Sequence, residues 1–139
     1  MDKQFNLERF VEAQAPVYRK VVAELKAGRK SSHWMWFIFP QIAGLGHSDM
    51  ARKFAISSAD EAAAYLAHPV LGARLRETSA LVAAIDADDI TDVFDPPDDR
   101  KFHSSMTLFA EVAPDEAVFH DCINQYFDGA PDHATIERL

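Results

Sequence analysis

The sequence predicts an all-α fold: a single compact domain of about seven helices, several of them short, over residues 1–139. Three observations predict it. Apolar residues recur at the three-to-four spacing of a helical face along most of the chain. No stretch shows the strict alternation of a half-buried strand. Ser, Asp, Pro and Gly stand where helices begin and end. Composition agrees. A chain of 139 residues, 48% hydrophobic and 26% charged, with ten Phe, three Tyr and two Trp, suits one globular domain with a sizeable core.

Residues Asn6 to Ala27 read as the first helix, with Leu7, Phe10, Val11, Tyr18, Val21, Val22 and Leu25 as its apolar positions. Asn6 is the expected N-cap, although Arg9 at N3 leaves the capping box incomplete. Pro16 must kink or split this helix, because it lacks a donor and crowds the preceding turn. Gly28 is the expected C-cap. After a polar loop, Ser31 or Ser32 is expected to cap a short helix over residues 33–39. That run is apolar on nearly every side, so a short strand stays open as the alternative. Pro40 ends it, and Ile42 to His47 form a loop with two glycines.

Ser48 caps a helix over 49–55. Ser58 with Glu61 forms a capping box that opens 59–67. Pro69 suits the first turn of a helix running to about Ile85, in which Gly72 weakens the propensity. Residues 86–100 form a polar connection in which seven of fifteen are Asp. Ile90, Val93 and Phe94 are expected to pin it to the core by a single turn. Asp98 or Asp99 caps a helix to about Val112. Pro114 opens the next, with Asp115 and Glu116 in the first turn, where the helix dipole favours acids. Phe119, Cys122, Ile123 and Tyr126 lie on its buried face, and Gly129 caps it. Asp132 starts a last short helix to Leu139.

Charge and cysteine content narrow the function classes. The net charge of −8 argues against a general nucleic-acid binder. Residues 1–53 carry nine Lys/Arg against five acids, whereas 54–139 carry five against 17. Either the two halves complement one another, or Gly28-Arg29-Lys30 forms a cationic pocket for a phosphate or carboxylate. The basic residues are too dispersed for a polybasic membrane patch. No apolar run approaches the roughly 18 residues of a membrane helix. Met1-Asp2-Lys3-Gln4 lacks the form of a signal peptide. The single cysteine fits a reduced, cytoplasmic setting.

Named catalytic signatures are missing: no phosphate-binding loop, no dinucleotide fingerprint, no nucleophile elbow, no His-Glu-x-x-His. The Asp-rich segment fails as an EF-hand, since a loop begun at Asp86 puts Ile90 and Thr91 at positions five and six. The six histidines show no zinc spacing, so no metal is expected, and no cofactor is implied. Cys122 reads as buried and structural. His120, two residues away, points to another face.

Three polar-aromatic constellations remain. In Lys30-Ser31-Ser32-His33-Trp34-x-Trp36, indole rings stack a flat ligand and the cation holds an anion; the plain alternative is a core wedge. In Pro40-Gln41-x-x-Gly44-x-Gly46-His47, the glycines admit close backbone approach and the Gln41 amide pairs with a base; the alternative is a tight turn. In Asp98-Asp99-x-Lys101-x-His103-Ser104-Ser105-x-Thr107, polar residues crowd a helix whose other face is apolar. They face solvent or line a pocket.

These segments carry a resemblance. Residues 28–41 (Gly28-Arg29-Lys30-Ser31-Ser32-His33-Trp34-Met35-Trp36-Phe37-Ile38-Phe39-Pro40-Gln41), the stretch Tyr65-Leu66-x-His68-Pro69-Val70-Leu71-Gly72, and Lys101-Phe102-x-Ser104-Ser105-Met106-Thr107-Leu108-Phe109 resemble the domain of unknown function 1810 family. The likeness runs from about Leu7 to Leu139. It implies a mainly α-helical protein with no established activity. Some members carry the label calpastatin, which a globular sequence does not fit. Asp95 stands where the family pattern has a glycine, which puts the local backbone in doubt. The order of elements is also similar to the NADAR group, helical proteins acting on N-glycosidic bonds of ADP-ribose-type compounds. The parallel lies around Lys101-Phe102 and Leu108-Phe109, and no catalytic residue is carried over.

Two functions are expected from this. The first is a nucleotide- or ADP-ribose-type ligand-binding protein or N-glycosidase-like enzyme. Lys30, His33, Trp34, Trp36, Gln41, Lys101, Ser104 and Ser105 would line its pocket. Asp98, Asp99 or Asp132 would supply a carboxylate to orient water or stabilise an oxocarbenium-like centre. The alternative is a protein-interaction module with an exposed aromatic patch of Trp34, Trp36 and Phe37. The first requires residues 33–41 and 98–107 to meet in space.

Overall fold

The structure, a computed structural model, describes residues 5–139. The first four residues, on which the signal-peptide reading rests, lie outside it. Among the described residues there are nine helices, six of seven residues or more: α1 Glu8–Gln14, α2 Tyr18–Lys26, α3 Met35–Ile38, α4 Asp49–Lys53, α5 Ala59–Ala67, α6 Leu71–Ala83, α7 Asp98–Val112, α8 Ala117–Phe127 and α9 His133–Glu137. A 3-10 turn at Ile90–Asp92 provides the expected pin.

Pro16 splits the first helix into α1 and α2 rather than kinking it. Asn6 is not the N-cap. It adopts a positive φ of 52°, and Leu7 takes that position without a side-chain bond. The Ser31 or Ser32 cap is also corrected, since α3 starts after Trp34 with no side-chain cap. α6 starts at Leu71, two residues past Pro69, and α8 at Ala117 with Glu116 as N-cap, so Pro114, Asp115 and Glu116 precede its first turn; Asp128, with a left-handed φ, is its C-cap ahead of Gly129. Three expected side-chain caps hold. Ser48 Oγ accepts from Ala51 N–H at 3.1 Å, Ser58 Oγ from Glu61 N–H at 3.2 Å, and Asp132 from Thr135 N–H at 3.2 Å. Asp98 and Asp99 stand in the first turn of α7, behind Pro97 as N-cap, rather than at the cap itself. Asp95 has no positive φ, so the residue that departs from the family pattern strains nothing.

The longest helix, α7, packs against α5, α8 and α9, while α6 packs against α2, α5 and α8. Phe39 lies edge-on to Phe102 at 5.0 Å and to Phe94 at 6.0 Å, which seats α3 on α7. Phe10, Phe54 and Tyr65 carry the aromatic core on toward Phe109. The one β-type pairing among the described residues is a parallel bridge, Ile42 to Ile56.

Gly72 sits where α6 crosses the end of α5. A Cβ there would come 2.1 Å from the Leu66 carbonyl oxygen. Gly→Ala in a helix normally gains about 1 kcal/mol of propensity. Here the backbone clash outweighs it, and Gly72→Ala is expected to lose about 1–3 kcal/mol in urea unfolding. A stabilised variant would contradict this packing.

Candidate functional site

The site is organised by a carboxylate on the buried face of α2. Glu24 lies among Val21 and Leu25, 8% exposed. Its Oε1 accepts from Ser31 N–H at 2.7 Å, Ser32 N–H at 3.0 Å and Trp34 Nε1–H at 2.9 Å. Its Oε2 accepts from the Ser32 hydroxyl. Burial pushes the carboxyl up, but these donors, the Ser32 hydroxyl first, outweigh it and hold it down at about 2. Ser31 and Ser32 are thereby committed to Glu24 rather than to capping α3. Sequence reasoning missed Glu24. The signal was there: an acid three residues after Val21 and one before Leu25, on the apolar stripe.

The basic loop that follows docks on the acidic one. Arg29 reaches the Thr91 and Asp92 carbonyls and the Asp95 carboxylate. Lys30 donates its backbone N–H to Val93 O at 2.9 Å, and its Nζ lies 2.8 Å from Asp98 Oδ2. The asymmetric charge of the two halves is therefore complementary here, within the molecule.

Asp98 is shared. Its Oδ1 lies 3.7 Å from Lys101 Nζ, and that ammonium sits 5.2 Å from the centroid of the Trp36 ring. The segments around Trp36 and Lys101 thus meet, as the ligand reading requires. Beside them a pocket of about 210 Å³ is lined by Lys30, Ser31, Ser32, His33, Asp95 and Asp98. A larger cleft, about 610 Å³, lies away from this cluster, between the ends of α2 and α6.

Other expected residues are placed elsewhere. Trp34 is 1% exposed, packs on Phe39 and Phe94 and donates to Glu24, so it is a core support and no stacking platform. Phe37 is buried as well, so Trp34, Trp36 and Phe37 form no exposed aromatic patch. Gln41 stays with its own loop, its carbonyl accepting from Ile56 N–H and its Oε1 lying beside Gly46. Ser104 is buried and donates to Asp132 Oδ2 at 3.0 Å. Asp132 also accepts from the Thr135 hydroxyl at 2.6 Å and gives its N–H to Thr107 Oγ1, so it is a structural N-cap joining α9 to α7. Ser105 is fully buried, its hydroxyl unpartnered, and faces no solvent. Asp99 is half-buried with one unpartnered carboxylate oxygen, about 100° round α7 from Asp98.

Cys122 is buried, with Sγ 3.4 Å from the Ser79 carbonyl, and burial pushes its thiol up to about 12. It is expected to resist a thiol reagent at pH 8 in the native protein and to react fully in denaturant. Fast native labelling would overturn that assignment. Among the described residues, no group of three or more His, Cys, Asp or Glu is placed to hold a metal ion. No helix there is long and apolar enough to cross a membrane.

No curated protein matches the chain. Its structure is similar to the crystal structure, at 1.38 Å, of the conserved hypothetical protein Rv1873 from Mycobacterium tuberculosis. The TM-score is 0.97 at 50% identity, over 99% of this chain and 98% of that one. The model of a family described as "Protein of unknown function (DUF1810)" matches residues 4–139, and the chain belongs to that family.

Proposed function

We propose that the cluster of Lys30, Trp36, Asp98 and Lys101 binds a nucleotide- or ADP-ribose-type ligand, and that cleavage of its N-glycosidic bond is the reaction the site suits. The observation that carries this reading is Lys101 reaching both Asp98 and the half-buried Trp36 ring. An aromatic face, a carboxylate and cations in one cluster are the groups such a ligand needs. The ring offers a surface to a base or sugar. Asp98 offers the carboxylate that such a cleavage needs to orient water toward a ribosyl carbon. His33, exposed on the pocket rim, stands ready to contact the ligand. Of the three carboxylates considered, Asp98 is the one in this cluster.

A thermal-shift panel of NAD, ADP-ribose, mononucleotides and sugar phosphates tests the reading. Ligand at 100 times its Kd adds about 2.7 kcal/mol, on the order of 10 °C in Tm for a domain of this size. A rise with one nucleotide class, lost in Lys101→Ala and Trp36→Ala, supports it. No shift across the panel overturns it.

A further inference from the structure

We infer that Asp98 and Lys101 form a hydroxyl subsite, which takes a sugar hydroxyl of the ligand and not its phosphate; this rests on the reading proposed above. The argument is one of unspent hydrogen-bonding groups. Lys30 is 10% exposed and pairs with Asp98 Oδ2 at 2.8 Å. Arg29 is taken by Asp95. The 3.7 Å between Asp98 Oδ1 and Lys101 Nζ is too long for a hydrogen bond, and both side chains are about one-fifth exposed. An acceptor and a donor therefore stand side by side, ion-paired but with hydrogen-bonding capacity unspent.

A group that bridges them must donate to Oδ1 and accept from Nζ. A hydroxyl does both. A phosphate dianion only accepts, and it would meet the Asp98 carboxylate at close range. An ammonium only donates, and it would meet Lys30 and Lys101. The half-buried Trp36 ring, whose centroid lies 5.2 Å from Lys101 Nζ, adds apolar surface beside the pair. Asp98 also borders a pocket of about 210 Å³ with Lys30, Ser32 and His33, smaller than the roughly 300–1,000 Å³ of a site for a whole drug-sized ligand; Lys101 and Trp36 lie outside its lining.

Calorimetric titration of the full chain decides this, with AMP, 2′,3′-dideoxy-AMP, ADP-ribose, ribose 5-phosphate and inorganic phosphate as probes. AMP is expected to bind at least 10-fold more tightly than its dideoxy analogue, and inorganic phosphate not measurably. Asp98→Asn, first checked to melt cooperatively, is expected to lose the preference for the ribose form. If that variant does not fold, the two AMP forms on the unaltered protein still decide the matter. Equal affinity for AMP and dideoxy-AMP overturns the hydroxyl subsite while leaving the nucleotide reading in place. So does phosphate alone binding as tightly as AMP. No binding of AMP, ADP-ribose or ribose 5-phosphate overturns both.

Discussion

Replacing Arg9 with Ala is expected to cost about 3–5 kcal/mol of unfolding free energy, the range for breaking a buried ion pair from one side. That approaches the whole stability of a typical domain, about 5–15 kcal/mol. The guanidinium uses all three nitrogens. Nε donates to Lys53 O at 2.8 Å, and Nη1 to Phe5 O at 2.6 Å and Asn6 O at 2.9 Å. Nη2 donates to Ala55 O at 2.8 Å and pairs with Glu61 Oε2 at 3.0 Å. The plane also lies 4.4 Å from the Phe10 centroid. One side chain thus joins α1, the end of α4 and the first turn of α5. Glu61 is 2% exposed, and without Arg9 it keeps only the Ser57 N–H at 2.7 Å. Arg9→Lys restores the charge but not the fork, so most of the loss is expected to remain. Urea unfolding at pH 7 measures both; a loss under 1 kcal/mol for Arg9→Ala would sink the argument.

The second large effect is a pH dependence. The Glu24 carboxyl is held at about 2 in the fold against an ordinary 4.5. A depressed carboxylate stabilises the fold fully above the unfolded value of 4.5. The contribution fades as pH falls from there through about 2. The difference corresponds to on the order of 3 kcal/mol. Glu24→Gln keeps the shape, and its amide oxygen can take the place of Oε1, but the charge that strengthened those bonds is lost and the amide nitrogen stands where Oε2 accepted the Ser32 hydroxyl. Its deficit is expected to be of that order at pH 7 and to shrink steadily toward pH 2. Urea unfolding of both proteins across that window checks it, and a deficit constant with pH would refute it. The variant is also expected to loosen the loop that carries Lys30.

Legibility followed the range of the interactions. Ser48, Ser58 and Asp132 were readable as caps because each bonds a backbone N–H three residues on. Pro16 was readable as a break because its clash lies within its own turn. The run from His33 to Phe39 was not, since apolar residues on every side show no period. Ser104 and Thr107 were also misjudged on their own. Their polarity argued for solvent or a ligand, but α9 covers them and Asp132 meets both hydroxyls.

The candidate site divides the same way. The segments around Trp36 and around Lys101 stood out in the sequence for the density of polar groups beside aromatics, and the fold brings them together. Which members meet was undecided. Trp34 and Trp36 are two residues apart, and one is core while the other is half-buried against Lys101. That choice depends on Glu24 accepting the Trp34 N–H ten residues away and on Phe39 seating α3 against Phe102.

Helix class, helix ends and the family likeness are local properties, carried by spacing and by bonds that close within one turn. The pairing of Lys30 with Asp98, the bonds from Arg9 to Lys53, Ala55 and Glu61, and the burial of Ser104 join residues 28 to 68 positions apart. Those contacts are set by how α2, α3 and α7 pack, because the energy of a charge or hydroxyl depends on what the fold places against it.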